Sequence, residues 1–342
     1  MTPFFVVGAD RSGTTLLRVM LERHPQIAIP PESHFIPRLW QRRGRYAAAD
    51  GRLVNTERFL ADLAAEPRFM KWELPIEAVE AELGRVQGPR LVDGIEAPFR
   101  AYARTRGKAV WGDKTPGYAE QIPLLNRLWP GARFVHMIRD GRDVALSTFA
   151  LGGSHRTGAS AARYWAARVQ AARQAAPLLG DAYFELRYED LLDDAEAQLR
   201  RLSTFLGVEY DAGMLVHDAA AIASIPARER ERHASLVRPP TKGLRDWRLQ
   251  MSHAQVSDFE AIARRELVSC GYELAFPAPG VARRAVAITH LATFMVRSTL
   301  PRGFRRLRRG RNKRRWRKAP PSLEILHGET SLDRVDGSIG TR

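Results

Sequence analysis

A chain of 342 residues, 44% hydrophobic and 27% charged, can bury a full core, and one large α/β domain with an extension is the expected arrangement. Its single cysteine, Cys270, excludes an intrachain disulfide framework, and the lack of any run of 18 apolar residues argues against a membrane-spanning helix. The net charge of +16 is unevenly placed: residues 281–342 carry 16 Lys/Arg against 4 Asp/Glu, a net of +12, which leaves +4 for the first 280 residues.

The chain opens on an apolar strand over residues 4–8, so no signal peptide is expected and a cytoplasmic, reducing location is. The strand runs into Gly8-Ala9-Asp10-Arg11-Ser12-Gly13-Thr14-Thr15 and a helix over 14–24. Gly8, four residues, Gly13 and two hydroxyl residues fill the frame of a phosphate-binding loop, G-x4-G-K-[ST], with Thr14 where the lysine belongs. A strand, Gly-rich turn and helix of this kind aim backbone N–H groups and a positive helix end at one anion. Thr14 and Thr15 add hydroxyls, and Arg11 adds a charged fork. A P-loop nucleotide kinase needs the missing lysine at the β- and γ-phosphates and an acidic Mg²⁺ partner, so a Mg²⁺-triphosphate fits this loop poorly.

After the first helix, Gln26–His34 should return the chain to the sheet edge, which makes Glu32 a candidate general base and His34 its rival. From Arg38 to Lys108 the pattern is helical and polar, with breaks at Gly44, Gly51, Pro67, Pro75 and Gly88-Pro89, as in a helical insertion that shapes an acceptor pocket. A strand near 109–112 ends in Asp113-Lys114-Thr115-Pro116. A further strand over 133–138 carries His136, read as a core residue, and runs into Arg139-Asp140-Gly141-Arg142-Asp143. Helices at 159–179, 195–206 and 254–270 and a strand at 182–187 complete the body, with Cys270 buried at an apolar helix end. Alternating strands and helices argue a P-loop-like parallel sheet with helices on both faces.

Ser147 lies eight residues after Arg139, within two turns of a helix that begins near Arg142, so both can face the carboxyl edge of the sheet, where an arginine and a hydroxyl suit a phosphate monoester. The plain alternative for Arg-Asp-Gly-Arg is an exposed turn with a surface ion pair. No Cys/His cluster has metal spacing, and no metal is expected.

The run Arg11-Ser12-Gly13-Thr14-Thr15 resembles the 5′-phosphosulfate loop of sulfotransferases that use 3′-phosphoadenosine-5′-phosphosulfate (PAPS), and the strand with Arg139 and Ser147 resembles their 3′-phosphate site. Arg238-Pro239-Pro240-Thr241-Lys242-Gly243 through Trp247 resembles the R-K-G-x4-W segment that closes over PAPS, with a Pro-Pro-Thr insertion between Arg238 and Lys242. Tyr188, after the strand 182–187, matches a position near the cofactor. With His24-Pro25, Glu32-Ser33 and Ile36-Pro37 added, the sequence looks most like tyrosylprotein sulfotransferases and bacterial relatives, over residues 3–275. The resemblance implies that Glu32 accepts the acceptor's proton and that Arg11 and Lys114 flank the sulfuryl group. It also implies that PAPS is the cosubstrate, 3′-phosphoadenosine-5′-phosphate (PAP) the product, and a hydroxyl of a carbohydrate, lipid, phenol or peptide the acceptor.

The sulfotransferase domain is expected over 1–280 and a basic, partly disordered extension over 281–342. Val286, His290, Leu291, Phe294, Met295 and Ser298 recur at helical spacing, and residues 302–318 hold 11 Lys/Arg among 17 positions without an acid. An amphipathic helix followed by a polybasic run suits an anionic membrane surface at the inner face. A basic nucleic-acid-binding module is the other reading of this tail, but it leaves the motifs of the body unexplained.

Overall fold

The computed structural model describes residues 2–150, 157–218 and 245–299. Of the described residues, those up to Phe294 belong to one compact unit and residues 295–299 to a second.

Five strands, β1 (Phe4–Gly8), β2 (Ile27–Ala28), β3 (Val110–Lys114), β4 (Arg133–Ile138) and β5 (Tyr183–Arg187), form a sheet of order β2-β3-β1-β4-β5. Every pair is parallel, with Phe4 opposite both Gly112 and Arg133, and Gly8 opposite Met137. All of β1 is buried, as its unbroken Phe-Phe-Val-Val run requires of a central parallel strand. Alternate residues serve opposite faces. Phe4 and Val6 pack with Leu17, Met20 and Leu21 of α1 (Thr14–Glu22), whereas Phe5 and Val7 join the aromatic core of the other face. There Phe5 lies 5.4 Å from Phe134, 5.6 Å from Trp129 and 6.0 Å from Trp111.

The polar stretch after the first helix is helical: α2 (Ile36–Gln41), α3 (Thr56–Ala64), α4 (Ile76–Leu83) and α5 (Leu91–Arg104). Its apolar sides bury Phe35, Phe59, Phe69, Trp72 and Phe99 in the same aromatic core. Next in the chain come α6 (Ile122–Leu128), α7 (Gly141–Ala150) and the Ala-rich α8 (Gly158–Leu179), which Thr157 caps by accepting from Ser160 N. Then follow α9 (Tyr188–Asp193), α10 (Ala195–Leu206), α11 (Trp247–Gln250), α12 (His253–Ser269) and α13 (Val281–Thr299). α7, α8 and α12 enclose a core of Val144, Trp165, Phe259 and Leu267, with Cys270 at its edge; burial pushes the Cys270 thiol up to about 11.

Two local departures from the sequence reading have simple causes. α1 stops at Glu22 instead of continuing to His24, because Pro25 disfavours helical backbone at the residue before it; the His24 ring lies 2.8 Å from the Glu209 carbonyl. β2 was not anticipated as a strand, since two residues carry no periodicity; pairing with Val110 and Trp111 creates it. His136 is fully buried, 2.7 Å from the Tyr183 hydroxyl. No helix among the described residues is long and apolar enough to cross a membrane.

Candidate active site

In a fully parallel sheet all carboxyl ends share one edge. Taken across the sheet, that edge presents Glu32 after β2, Lys114 at the end of β3, the loop Ala9–Gly13 after β1, Arg139 after β4 and Tyr188 after β5. Residues more than 150 positions apart thus share one sheet edge in the order of the strands.

The loop's shape follows from its residues. Gly13, the cap of α1, has φ 90°, and a Cβ there would collide with the Tyr188 ring. No acidic side chain occupies the first turn of α1, and none caps it. Its positive end is thereby left to the loop. Thr14 and Ser12 are buried, and Thr15 is half-buried.

On one side of the loop, Lys114 Nζ donates to Thr15 Oγ1 at 3.3 Å and to Glu32 Oε1 at 2.5 Å. Glu32 Oε2 lies 2.9 Å from His34 Nε2 and 3.8 Å from Arg68 Nη1. The two candidate bases therefore touch each other, and only Glu32 also touches Lys114. Burial pushes the Glu32 carboxyl up, but the charge of Lys114 and hydrogen bonds from His34 and Lys114 outweigh it and hold the group well below the carboxylate range. Glu32 is an ionised carboxylate, 26% exposed at its side chain, beside a buried ammonium.

On the other side, Arg11 Nε donates to Ser147 Oγ at 2.9 Å. The Arg139 guanidinium lies 4.4 Å from the centre of the Tyr188 ring and 3.7 Å from Asp143. Contacts thus run from Arg139 through Tyr188 to Gly13. Ser147, expected to face Arg139, instead accepts from Arg11, which reaches from the loop to α7. Ser12 Oγ and Arg139 Nε are buried without a hydrogen-bond partner among the described residues. Buried polar groups are ordinarily paired, so these suit a polyanionic ligand.

Asp140-Gly141-Arg142 is not an exposed turn. Arg142 is fully buried, 2.7 Å from Asp140 Oδ2 and 2.6 Å from Glu260 Oε1, with the Trp247 ring centre 3.6 Å from its guanidinium. Trp247, the end of the Arg238–Trp247 motif, donates its indole N–H to Asp140 at 3.1 Å and its backbone N–H to Asp143 at 2.9 Å. Arg238, Lys242 and Gly243 lie outside the described residues.

Sequence reasoning missed Arg68, which the helical stretch between Arg38 and Lys108 brings to Glu32. It also missed Asp113 and Thr115, which flank Lys114 on the same strand end and bond Ser33. The signal was present in Gly112-Asp113-Lys114-Thr115, where two groups able to accept hydrogen bonds bracket the lysine. Among the described residues, no three His, Cys, Asp or Glu side chains gather as a metal-binding group.

The sequence model of the Sulfotransferase family matches residues 3–212, more than half of the chain. The chain belongs to the sulfotransferase family. It is 26% identical over 276 residues to protein-tyrosine sulfotransferase A of Caenorhabditis elegans, covering 77% of this chain and 65% of that protein. It is 24% identical over 278 residues to the protein-tyrosine sulfotransferase of Drosophila melanogaster, covering 77% of this chain and 50% of that one. The chain thus spans two thirds or less of the length of these relatives. Among solved structures, the sulfotransferase domain of the Synechococcus PCC 7002 olefin synthase shares the fold, with a TM-score of 0.56 and 24% identity over 80% of this chain and 95% of that one. The residues described above therefore lie at the carboxyl edge of a sulfotransferase-family sheet.

Proposed function

We propose that this chain transfers the sulfuryl group of PAPS to an acceptor hydroxyl, with Glu32, Lys114 and Arg11 as the reacting set. The observation that carries the reading is the contact of Lys114 with both Thr15, at the anion-loop end, and the ionised Glu32. PAPS, when bound, supplies the sulfuryl group and a nucleotide leaving group. The amides of residues 11–15, with Ser12, Gly13, Thr14 and Thr15, hold the 5′ anionic end; Arg139, Ser147 and Tyr188 hold the 3′-phosphate side, and Arg238, Lys242 and Gly243 belong to the cover. The unpartnered Ser12 Oγ and Arg139 Nε fit such a dianionic nucleotide. Lys114 and Arg11 stabilise charge that builds on the departing oxygen, and Glu32 removes the proton of the acceptor hydroxyl. These cations perform the electrostatic work without a metal ion, so activity persists in EDTA.

The acceptor is a hydroxyl of a carbohydrate, lipid, phenol or peptide. The name of the relatives, protein-tyrosine sulfotransferase, directs the first assays to peptidyl tyrosine. Labelled PAPS offered to each acceptor class, with Glu32→Gln as control, tests the reading. Glu32→Gln should keep PAP affinity and lower turnover by about 10²–10⁴. If Glu32→Gln is near wild type and His34→Ala is inactive, the base is His34.

We also propose that the protein is cytoplasmic and associates with an anionic inner membrane face through residues 281–318. In support, α13 exposes Val286 and Ile288, 42% and 57% respectively. His290, which interrupts the apolar stripe, bonds Asp258 at 2.8 Å. The polybasic run lies outside the described residues. Nucleic acid is not proposed as a partner.

A further inference from the structure

Lys114 is bracketed on its own strand end by Asp113 and Thr115, and Glu32 is followed by Ser33. Ser33 is tied to both brackets. The backbone N–H of Ile36 donates to the Tyr118 hydroxyl at 3.2 Å, and that hydroxyl lies 2.9 Å from Ser33 Oγ. Ser33 Oγ donates to Asp113 Oδ2, Thr115 Oγ1 donates to Asp113 Oδ1 at 2.7 Å, and Ser33 N donates to Thr115 Oγ1 at 3.1 Å. If Tyr118 donates to Ser33, every hydrogen is used once, and the chain of bonds ends on the two oxygens of one carboxylate. Ser33, Asp113, Thr115 and Tyr118 are all buried, and each is at most 3% exposed. Beside them His34 holds a φ of 52°, a costly conformation for a side-chain-bearing residue, which persists only where the neighbours are pinned.

We infer that Asp113, Ser33, Thr115 and Tyr118 form a positioning cluster that sets the Glu32–Lys114 separation and the direction of the Glu32 carboxylate. Residues 32–33 and 113–115 come from different strand ends, and nothing covalent near the site joins them. The buried bonds fix one segment on the other, whereas the Glu32–Lys114 pair, in which Glu32 is partly exposed and only Lys114 is buried, alone leaves the carboxylate free to follow the lysine. Asp113 accepts at both oxygens, so an amide is no substitute: its nitrogen can only donate, and the hydroxyl facing it would lose the acceptor of its hydrogen. The inference rests on the roles proposed above for Glu32 and Lys114, and the test separates the two.

The test uses the full chain with Thr115→Val, which keeps shape and loses the hydroxyl, Thr115→Ser, which keeps the hydroxyl, and Asp113→Asn. Tyr118→Phe serves as a mild variant should Asp113→Asn not fold. Thr115→Val and Asp113→Asn should lower kcat about 10- to 100-fold, as a misplaced reacting group does, and Tyr118→Phe less, with PAP affinity by calorimetry unchanged and Thr115→Ser near wild type. In Glu32→Gln or Lys114→Met backgrounds the same changes should cost little more, because a displaced group already lost cannot be lost again. Losses that multiply in both backgrounds, a parallel fall in PAP affinity, or unchanged kcat in Thr115→Val would overturn the inference. If Glu32→Gln itself is fully active, the base assignment falls, and the cluster is then judged on the Lys114→Met background alone.

Discussion

Glu32 sits where burial and charge oppose each other, and charge wins. Removing Lys114 would leave burial, the largest influence on the carboxyl, opposed mainly by His34. For a carboxyl depressed in the folded state, the stabilising contribution is complete above the unfolded-chain value of about 4.3 and is lost as pH falls through the folded value. In wild-type protein Glu32 therefore stays ionised throughout the carboxylate range. In Lys114→Met its titration moves up, and an acid limb should appear in kcat/KM that the wild type lacks. Profiles of equal shape would mean that Lys114 does not set the charge state of Glu32. Cys270, with its thiol raised by burial in the α7, α8 and α12 core, has no part in this chemistry.

At the level of elements, the strand–loop–helix of β1 and α1 works only with glycine at its hinge. Gly13→Ala places a methyl group against Tyr188 at a positive φ, which should cost about 1–3 kcal/mol in urea unfolding and weaken PAP binding as the loop shifts. A variant as stable as wild type would show that the loop has room to relax. The other end of the site depends on β4 and α7. There Arg139→Ala should weaken PAP by roughly ten- to hundredfold, the value of a charge-assisted pair of about 1.5–3 kcal/mol, while leaving the fold intact. Calorimetry in EDTA, with ATP as competitor, checks both this loss and the preference for PAP; equal or tighter ATP binding would contradict the 3′-phosphate assignment. The Arg142–Asp140–Glu260 network holds this corner, and Trp247 is bonded to Asp140 of that network and to Asp143. The start of α11 is therefore fixed on the loop that carries Arg139.

For the whole molecule, the charge map separates a nearly balanced body from a basic tail, and the two make different predictions. Deleting residues 281–342 should abolish co-sedimentation with anionic vesicles while leaving PAP affinity intact. Binding by the full chain should persist at about 0.15 M salt and be absent with neutral vesicles. Vesicle binding unchanged by the deletion would end the anchor proposal. Since α13 contributes a buried Ala287 and the His290–Asp258 bond, a shorter deletion from residue 300 separates lipid binding from support of α12.

The first strand, loop and helix and the parallel sheet were legible in the sequence for a local reason. Gly8, Gly13, Thr14 and Thr15 lie within eight residues of one another, and an unbroken apolar strand predicts its own burial. Strand, helix and terminal arginine are likewise neighbours in the chain around residues 133–147. What the chain alone left open were choices between groups of similar chemistry. Glu32 and His34 are two residues apart and equally able to take a proton in principle; the strand order, which seats β3 beside β2, is what brings Lys114 to one of them. Ser147 bonds Arg11, a residue 136 positions earlier, which the folded loop brings to α7. Arg142 was indistinguishable from a surface charge until Glu260 and Trp247, more than 100 residues away, were folded against it. Local backbone preference and burial pattern are encoded within a few residues and survive in the sequence. Pairings across the sheet depend on which strands become neighbours, and only the tertiary structure decides that.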